Sequence, residues 1–107
     1  MMVTIRDNNT DDRLDAIAHA LQPYEEQHPN AQVEVYRQNS ASVRVRIVDA
    51  GFADVSKADR HDAVWAFLQQ LPEDQQAEIS VLLLLTPDEL EKSFANYEFD
   101  HPVPSRL

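Results

Sequence analysis

Residues 43–71, VRVRIVDAGFADVSKADRHDAVWAFLQQL, decide the fold. Val43, Val45 and Ile47 alternate with Arg44, Arg46 and Val48, and period-two alternation over β-branched residues predicts a strand. The loop AGFADVSKAD follows, and a helix is expected from about Ala58 to Leu71. Val64, Phe67, Leu68 and Leu71 recur at helical spacing as its buried stripe, with Trp65 on the flank. Pro72-Glu73-Asp74 stops it. Of the histidines at 19, 28, 61 and 101, only His61 stands where a strand–loop–helix block would present it.

Upstream, Val33 and Val35 alternate with Glu34 and Tyr36 in a second predicted strand over 32–37. The short link Gln38-Asn39-Ser40-Ala41 suits an antiparallel hairpin. Valines and Ile47 then share one face, while Glu34, Arg44 and Arg46 share the other within reach of cross-strand ion pairing. Before the hairpin, Leu14, Ile17, Ala18 and Leu21 predict a helix over 10–22, capped by Asn9 or Thr10 and ended or kinked at Pro23. Residues 1–9 are either a short strand through Val3 and Ile5 or irregular.

Downstream, EISVLLLLT is apolar at nearly every position, as in a strand covered on both faces. The second cover is either the tail, through Phe99, Val103 and Leu107, or a dimer or partner interface. Thr86-Pro87-Asp88-Glu89 is a capping box with proline at the first helical position. It opens a short helix carrying Leu90, Phe94 and Tyr97 along one side. EFDHPVPSRL, with two prolines, reads as an extended tail. The expected order is therefore α-β-β-α-β-α. That is an α+β fold, a two-layer α/β sandwich with helices on one face of a three-stranded mixed sheet. Residues 1–97 form a single domain and 98–107 the extended C-terminal tail.

Composition narrows the function classes. At 107 residues, 43% apolar and 26% charged, the chain suits one soluble globular domain. No apolar run approaches a membrane span, and MMVTIRDNN lacks the pattern of a secretory signal, so the expected location is cytoplasmic. Without cysteine there is no disulfide, thiolate nucleophile or self-contained Cys-ligated metal site. A formal net charge of −10 opposes binding to nucleic acid and to anionic membranes and suits a basic partner. Gly51 is the single glycine, which excludes the Gly-rich phosphate loops and the GxxG clamp. The serines stand in no nucleophile motif and no carboxylate pair has a recognisable acid/base setting, so no enzyme is expected.

From Val43 to Leu90 the chain resembles the BolA family. The likeness is carried by VRVRIVDAGF, the loop length from Phe52 to Arg60-His61, the helix behind it, the apolar strand, and TPDEL where the family has Thr-Pro-Glu-Glu-Trp. The helix over 10–22 and the strand over 32–37 agree in order, so about 80 residues are covered. The resemblance implies a variant type II KH-like fold and a non-enzymatic adaptor. Its implied partner is a monothiol glutaredoxin, with which it would share a [2Fe–2S] cluster. By position, His61 would be the cluster ligand, and Phe52, Arg60, His61 and Trp65 the partner-binding residues. No Cys or His stands in 38–42, where the family carries a second ligand. Asp62 replaces the family's usual arginine and Leu83 a frequent histidine. The chain alone would hold no cofactor, and a partner would bring the cluster and most ligands.

Plainer roles stand beside these. His61 could pack its ring and bond a loop carbonyl, and Arg60 could pair with Asp54 or Asp59. Asp54, Asp59 and Asp62 match no cation-binding loop and suit a solvated helix start. His19, His28 and His101 show no metal-ligand spacing. The alternative function is an acidic protein-interaction or homodimerisation module built on Val81–Leu85 and the tail, with nucleic-acid binding third.

Overall fold

A computed structural model describes residues 4–5, 12–40 and 42–101. The alternating segments pair as their pattern predicts. Strand β2 (Gln32–Asn39) and strand β3 (Ser42–Val48) are antiparallel, with Val33 opposite Ile47, Val35 opposite Val45 and Glu34 opposite Arg46. Strand β4 (Ile79–Leu85) runs parallel to β3. A two-residue strand, β1 (Thr4–Ile5), adds to the free side of β2 in parallel. The sheet therefore has four strands in the order β1-β2-β3-β4, one more than expected. Of the two readings offered for residues 1–9, the short strand is present at Thr4–Ile5, and Val3 lies outside the described residues.

Helix α1 (Asp12–Gln27) and helix α2 (Lys57–Leu68) cover one sheet face. Leu14, Ile17 and Leu21 of α1 and Val64 and Leu68 of α2 are buried against Val33, Val35, Val43, Val45 and Ile47. Burial of each such side chain contributes roughly 1.5–3 kcal/mol. α1 runs through Pro23 rather than ending there. The ring removes one helical hydrogen bond, but Pro23 is itself exposed, and the next residue, Tyr24, is buried in the core. The expected caps Asn9 and Thr10, and Val3, lie outside the described residues.

The segment after α2 departs from expectation. Pro72 does more than stop a helix, since a short helix α3 (Glu73–Gln76) starts behind it. The Thr86 capping box encloses only a 3-10 turn, Pro87–Glu89. Ser93 is extended, and its Oγ accepts the Asn96 N–H at 3.1 Å to start a separate helix, α4 (Phe94–Asp100). Residues 98–100 are thus helical rather than extended; 102–107, with Val103 and Leu107, lie outside the described residues.

α4 packs on the opposite sheet face from α1 and α2. The Phe99 ring meets Tyr36 edge-on, at 4.8 Å and 77°, and lies 4.8 Å beneath the Arg46 guanidinium. Tyr36, Arg44 and Arg46 alternate with the core valines, and Val81 and Leu83 of β4 stand beside Arg44 and Arg46 in register. Helices therefore flank both faces, which corrects the two-layer expectation and explains why β4 is apolar on both sides. Arg46 binds Glu34 at 2.7 Å, the cross-strand pair that alternation predicts, and Asp100 of α4 at 3.0 Å. Arg44 takes its carboxylate from α4, Glu98 at 3.4 Å, rather than from Glu34. Among the described residues no helix is long and apolar enough to cross a membrane.

Candidate functional site

The loop from β3 to α2 is built by short-range hydrogen bonds. Asp49 Oδ1 accepts the Gly51 N–H at 2.8 Å and starts a 3-10 turn, Ala50–Phe52. A Cβ on Gly51 would stand 3.2 Å from that oxygen, so the lone glycine permits the approach. The other Asp49 oxygen accepts the Tyr24 hydroxyl at 3.0 Å. Burial, and then this carboxylate, raise the Tyr24 pKa well above the usual phenol value. The chain turns at Asp54 with φ 64°, a left-handed conformation that Asp tolerates better than most residues. Ser56 Oγ then caps α2 by accepting the Asp59 N–H at 3.1 Å.

Arg60 enters from the first turn of α2 and is only 5% exposed. Its Nε donates to the Val55 carbonyl at 2.9 Å. Nη1 donates to the Leu84 carbonyl at 3.0 Å and to Glu89 Oε1 at 2.7 Å. Nη2 donates to the Phe52 carbonyl at 2.9 Å and to Glu89 Oε2 at 3.3 Å. These five bonds match the five N–H groups of a guanidinium. The residue ties together the loop, the end of β4 and the turn behind it. Its carboxylate partner is Glu89, not Asp54 or Asp59.

Arg60, followed by the Thr86 backbone N–H, holds the Glu89 carboxyl down at about 2. In the unfolded chain the group titrates near 4.5, so between these values the unfolded state binds more protons. The stabilisation is thus complete above about pH 4.5 and is lost as pH falls through 2. Urea midpoints of wild type and Glu89→Gln, measured from pH 6 to pH 2, should converge as pH falls. An equal gap at both ends would refute this role for the carboxylate.

The four residues expected to form a partner surface do not share one. Phe52 is buried in the core, its ring 5.4 Å from the Arg60 guanidinium. Arg60 is buried as described. Each is accessible only where it lines a pocket beside the loop, Arg60 in two and Phe52 in one. His61, one position along α2, is 53% exposed and stacks on half-buried Trp65 at 5.6 Å and 12°. Its Nδ1 is 4.0 Å from Asp62 Oδ1. Glu89 was missed as a site residue because nothing local to residue 60 or 89 announces a pair 29 positions apart; the capping box explains only its bond to Thr86.

Beside Arg60 opens a cleft of about 400 Å³, lined by Ala53, Asp54, Thr86, Asp88 and Glu89 among others. All five described arginines, 13, 37, 44, 46 and 60, are held in internal ion pairs. The rim acids Asp54 and Asp88, and Asp59 on α2, have no ion pair among the described residues. The surface field here is negative, which repels phosphates and attracts cationic groups. Among the described residues no group of three or more His, Asp or Glu could hold a metal ion, so Asp54, Asp59 and Asp62 do not converge into a cation site.

No family model, curated protein or solved structure matches this chain. Its chemistry rests on its own surface groups. At the start of α2 they are the exposed His61 imidazole backed by an indole, with unpaired carboxylates alongside.

Proposed function

We propose that the chain is a non-catalytic, BolA-like adaptor acting in the cytoplasm, which binds a protein partner through the start of α2. A monothiol glutaredoxin is the proposed partner, and a [2Fe–2S] cluster would be its contribution, since this chain brings no thiol. The supporting observation is the His61 imidazole, exposed and held flat against Trp65. The stack restricts the ring's motion, and an unpaired imidazole nitrogen is a ready ligand or hydrogen-bonding group. Phe52 and Arg60 serve this surface from below, by fixing the loop and the first turn of α2.

A second reading, an acidic homodimerisation module, draws support from β4 at the edge of the sheet. The Asp49 N–H donates to the Leu85 carbonyl at 2.9 Å, so in the regular stretch Val81–Leu85 the odd-numbered residues direct their backbone groups to β3. Leu82 directs its N–H and carbonyl outward, where a second copy could pair, while the outward carbonyl of Leu84 is held by Arg60.

One experiment separates the two. The protein is mixed with cluster-loaded monothiol glutaredoxin, and the mixture is followed by visible spectroscopy and by a sizing column with light scattering. The adaptor role predicts a heterocomplex and a changed cluster spectrum, with the spectral change lost in His61→Ala. No complex and an unchanged spectrum would overturn it. A mass that doubles with concentration of this chain alone would favour the dimer.

A further inference from the structure

A second pocket, of about 160 Å³, lies under the β3–α2 loop. Tyr24, His28, Phe52, Val55 and Ala63 contribute its walls, and Asp49 lies among the lining residues. Asp49 is only 5% exposed. Its oxygens are held by the Tyr24 hydroxyl and the Gly51 N–H, both neutral donors. Arg60 borders the same pocket, but its donors are engaged by Val55, Leu84, Phe52 and Glu89. His28 directs Nδ1 to the Tyr24 carbonyl at 2.9 Å and stacks on the Tyr24 ring at 4.0 Å. Asp49 therefore has no cationic partner among the described residues.

Buried carboxylates are ordinarily paired with a cation, because an uncompensated charge away from water is costly. A carboxylate offers about four lone-pair sites, and two of these are taken here. What it lacks is a cation bonded to it, since the donors of Arg60 in the same pocket go elsewhere. Tyr24 and Phe52 stand beside it, one Tyr24 face stacked on His28 and one Phe52 face under the Arg60 guanidinium, and a ring face left free attracts alkylammonium ions through its quadrupole. The pocket is smaller than those that enclose a drug-sized ligand, which run to roughly 300–1,000 Å³. It suits a head group on a slender chain. The net charge of −10 raises the local concentration of such ions.

We propose that this pocket binds a single alkylammonium group, with Asp49 as counter-ion and Tyr24 and Phe52 as aromatic walls. The group could belong to a small free amine or to a lysine side chain of another protein. This inference goes beyond the adaptor role and does not rest on it, and its test contains no glutaredoxin.

The test is a titration of the full chain with n-butylammonium chloride, followed by backbone amide NMR. The expected result is a saturable shift of the Gly51, Val55 and Ala63 amides that equal potassium chloride and equal n-butanol do not produce. Asp49→Asn should weaken the binding at least tenfold. Because that change also weakens the Tyr24 bond, Ala63→Leu serves as a second variant. It fills the pocket from an exposed helix position, leaves Asp49 intact, and should weaken binding by a similar factor. Shifts that do not saturate, that n-butanol reproduces, or that survive Ala63→Leu would overturn the proposal. Repeating the titration with Nα-acetyl-lysine methylamide identifies the source. Tighter binding than n-butylammonium supports a lysine side chain, and weaker saturable binding supports a free amine.

Discussion

Replacing Arg60 with alanine should lower the free energy of unfolding by about 3 kcal/mol, the lower end of the range for breaking a buried ion pair. The lower end applies because Glu89 is 35% exposed, so water can reach the abandoned carboxylate. The Leu84 and Phe52 carbonyls are less fortunate, since their bonds to Arg60 are buried. Each orphaned acceptor costs about 1–3 kcal/mol unless water replaces the donor. A melting curve should move down by roughly 15 °C, given the usual slope for domains of this size. Arg60→Lys should recover only part of the loss. Its ammonium has three donors on a single point and cannot span Val55, Phe52, Leu84 and Glu89 together. Wild-type stability in Arg60→Ala would show that the bonds formed there are matched by hydration in the unfolded chain.

The second large effect is expected at Phe99. Truncating a buried phenylalanine to alanine costs about 3–5 kcal/mol when the surroundings cannot collapse. Here the ring packs against Tyr36 and Arg46, while the Phe99 carbonyl accepts the Tyr36 hydroxyl at 3.0 Å. The loss has a ceiling, because α4 can undock as a unit before the rest of the fold opens. Undocking would release Glu98 from Arg44 and Asp100 from Arg46, leaving both guanidiniums over the bare face of Val81 and Leu83. Phe99→Ala should thus show both a lowered unfolding midpoint and fast amide exchange throughout α4. A variant with slow exchange in α4 and a wild-type midpoint would mean that this helix does not hold the outer face closed.

The same two residues show where the sequence was readable. The hairpin declared itself because side chains alternate strictly, and Glu34 was correctly set beside Arg46. The stripe of Leu14, Ile17 and Leu21 likewise announced α1 and its buried face. Phe99 was one of two alternatives for the cover of β4, beside a dimer or partner interface, and its helical setting was not foreseen, since the prolines after it argue for an extended chain and Ser93 is a weak local cue. Tyr24 was hidden behind Pro23, whose helix-breaking tendency is outweighed here by the burial that follows it. For the candidate site, the helical spacing from His61 to Trp65 was legible, but it left open whether the ring packs inward or stands exposed as it does. The burial of Phe52 and Arg60 was not legible. A phenylalanine after the lone glycine looks the same from sequence whether it points out or in. The acceptors of Arg60 are distributed over Phe52, Val55, Leu84 and Glu89, and no local pattern brings these together.

The bond from Arg60 to the Leu84 carbonyl has a consequence for colloidal behaviour. β4 is an uncharged edge strand without proline, the type of segment on which chains stack into aggregates. Charged side chains are a common guard on such edges, usually by pointing into solvent. This one guards from inside, by occupying the outward acceptor nearest the end of the strand. An incoming strand could bond at Leu82 and would then find the next acceptor taken, which interrupts the ladder. Loss of this gatekeeper would cost the chain solubility as well as stability.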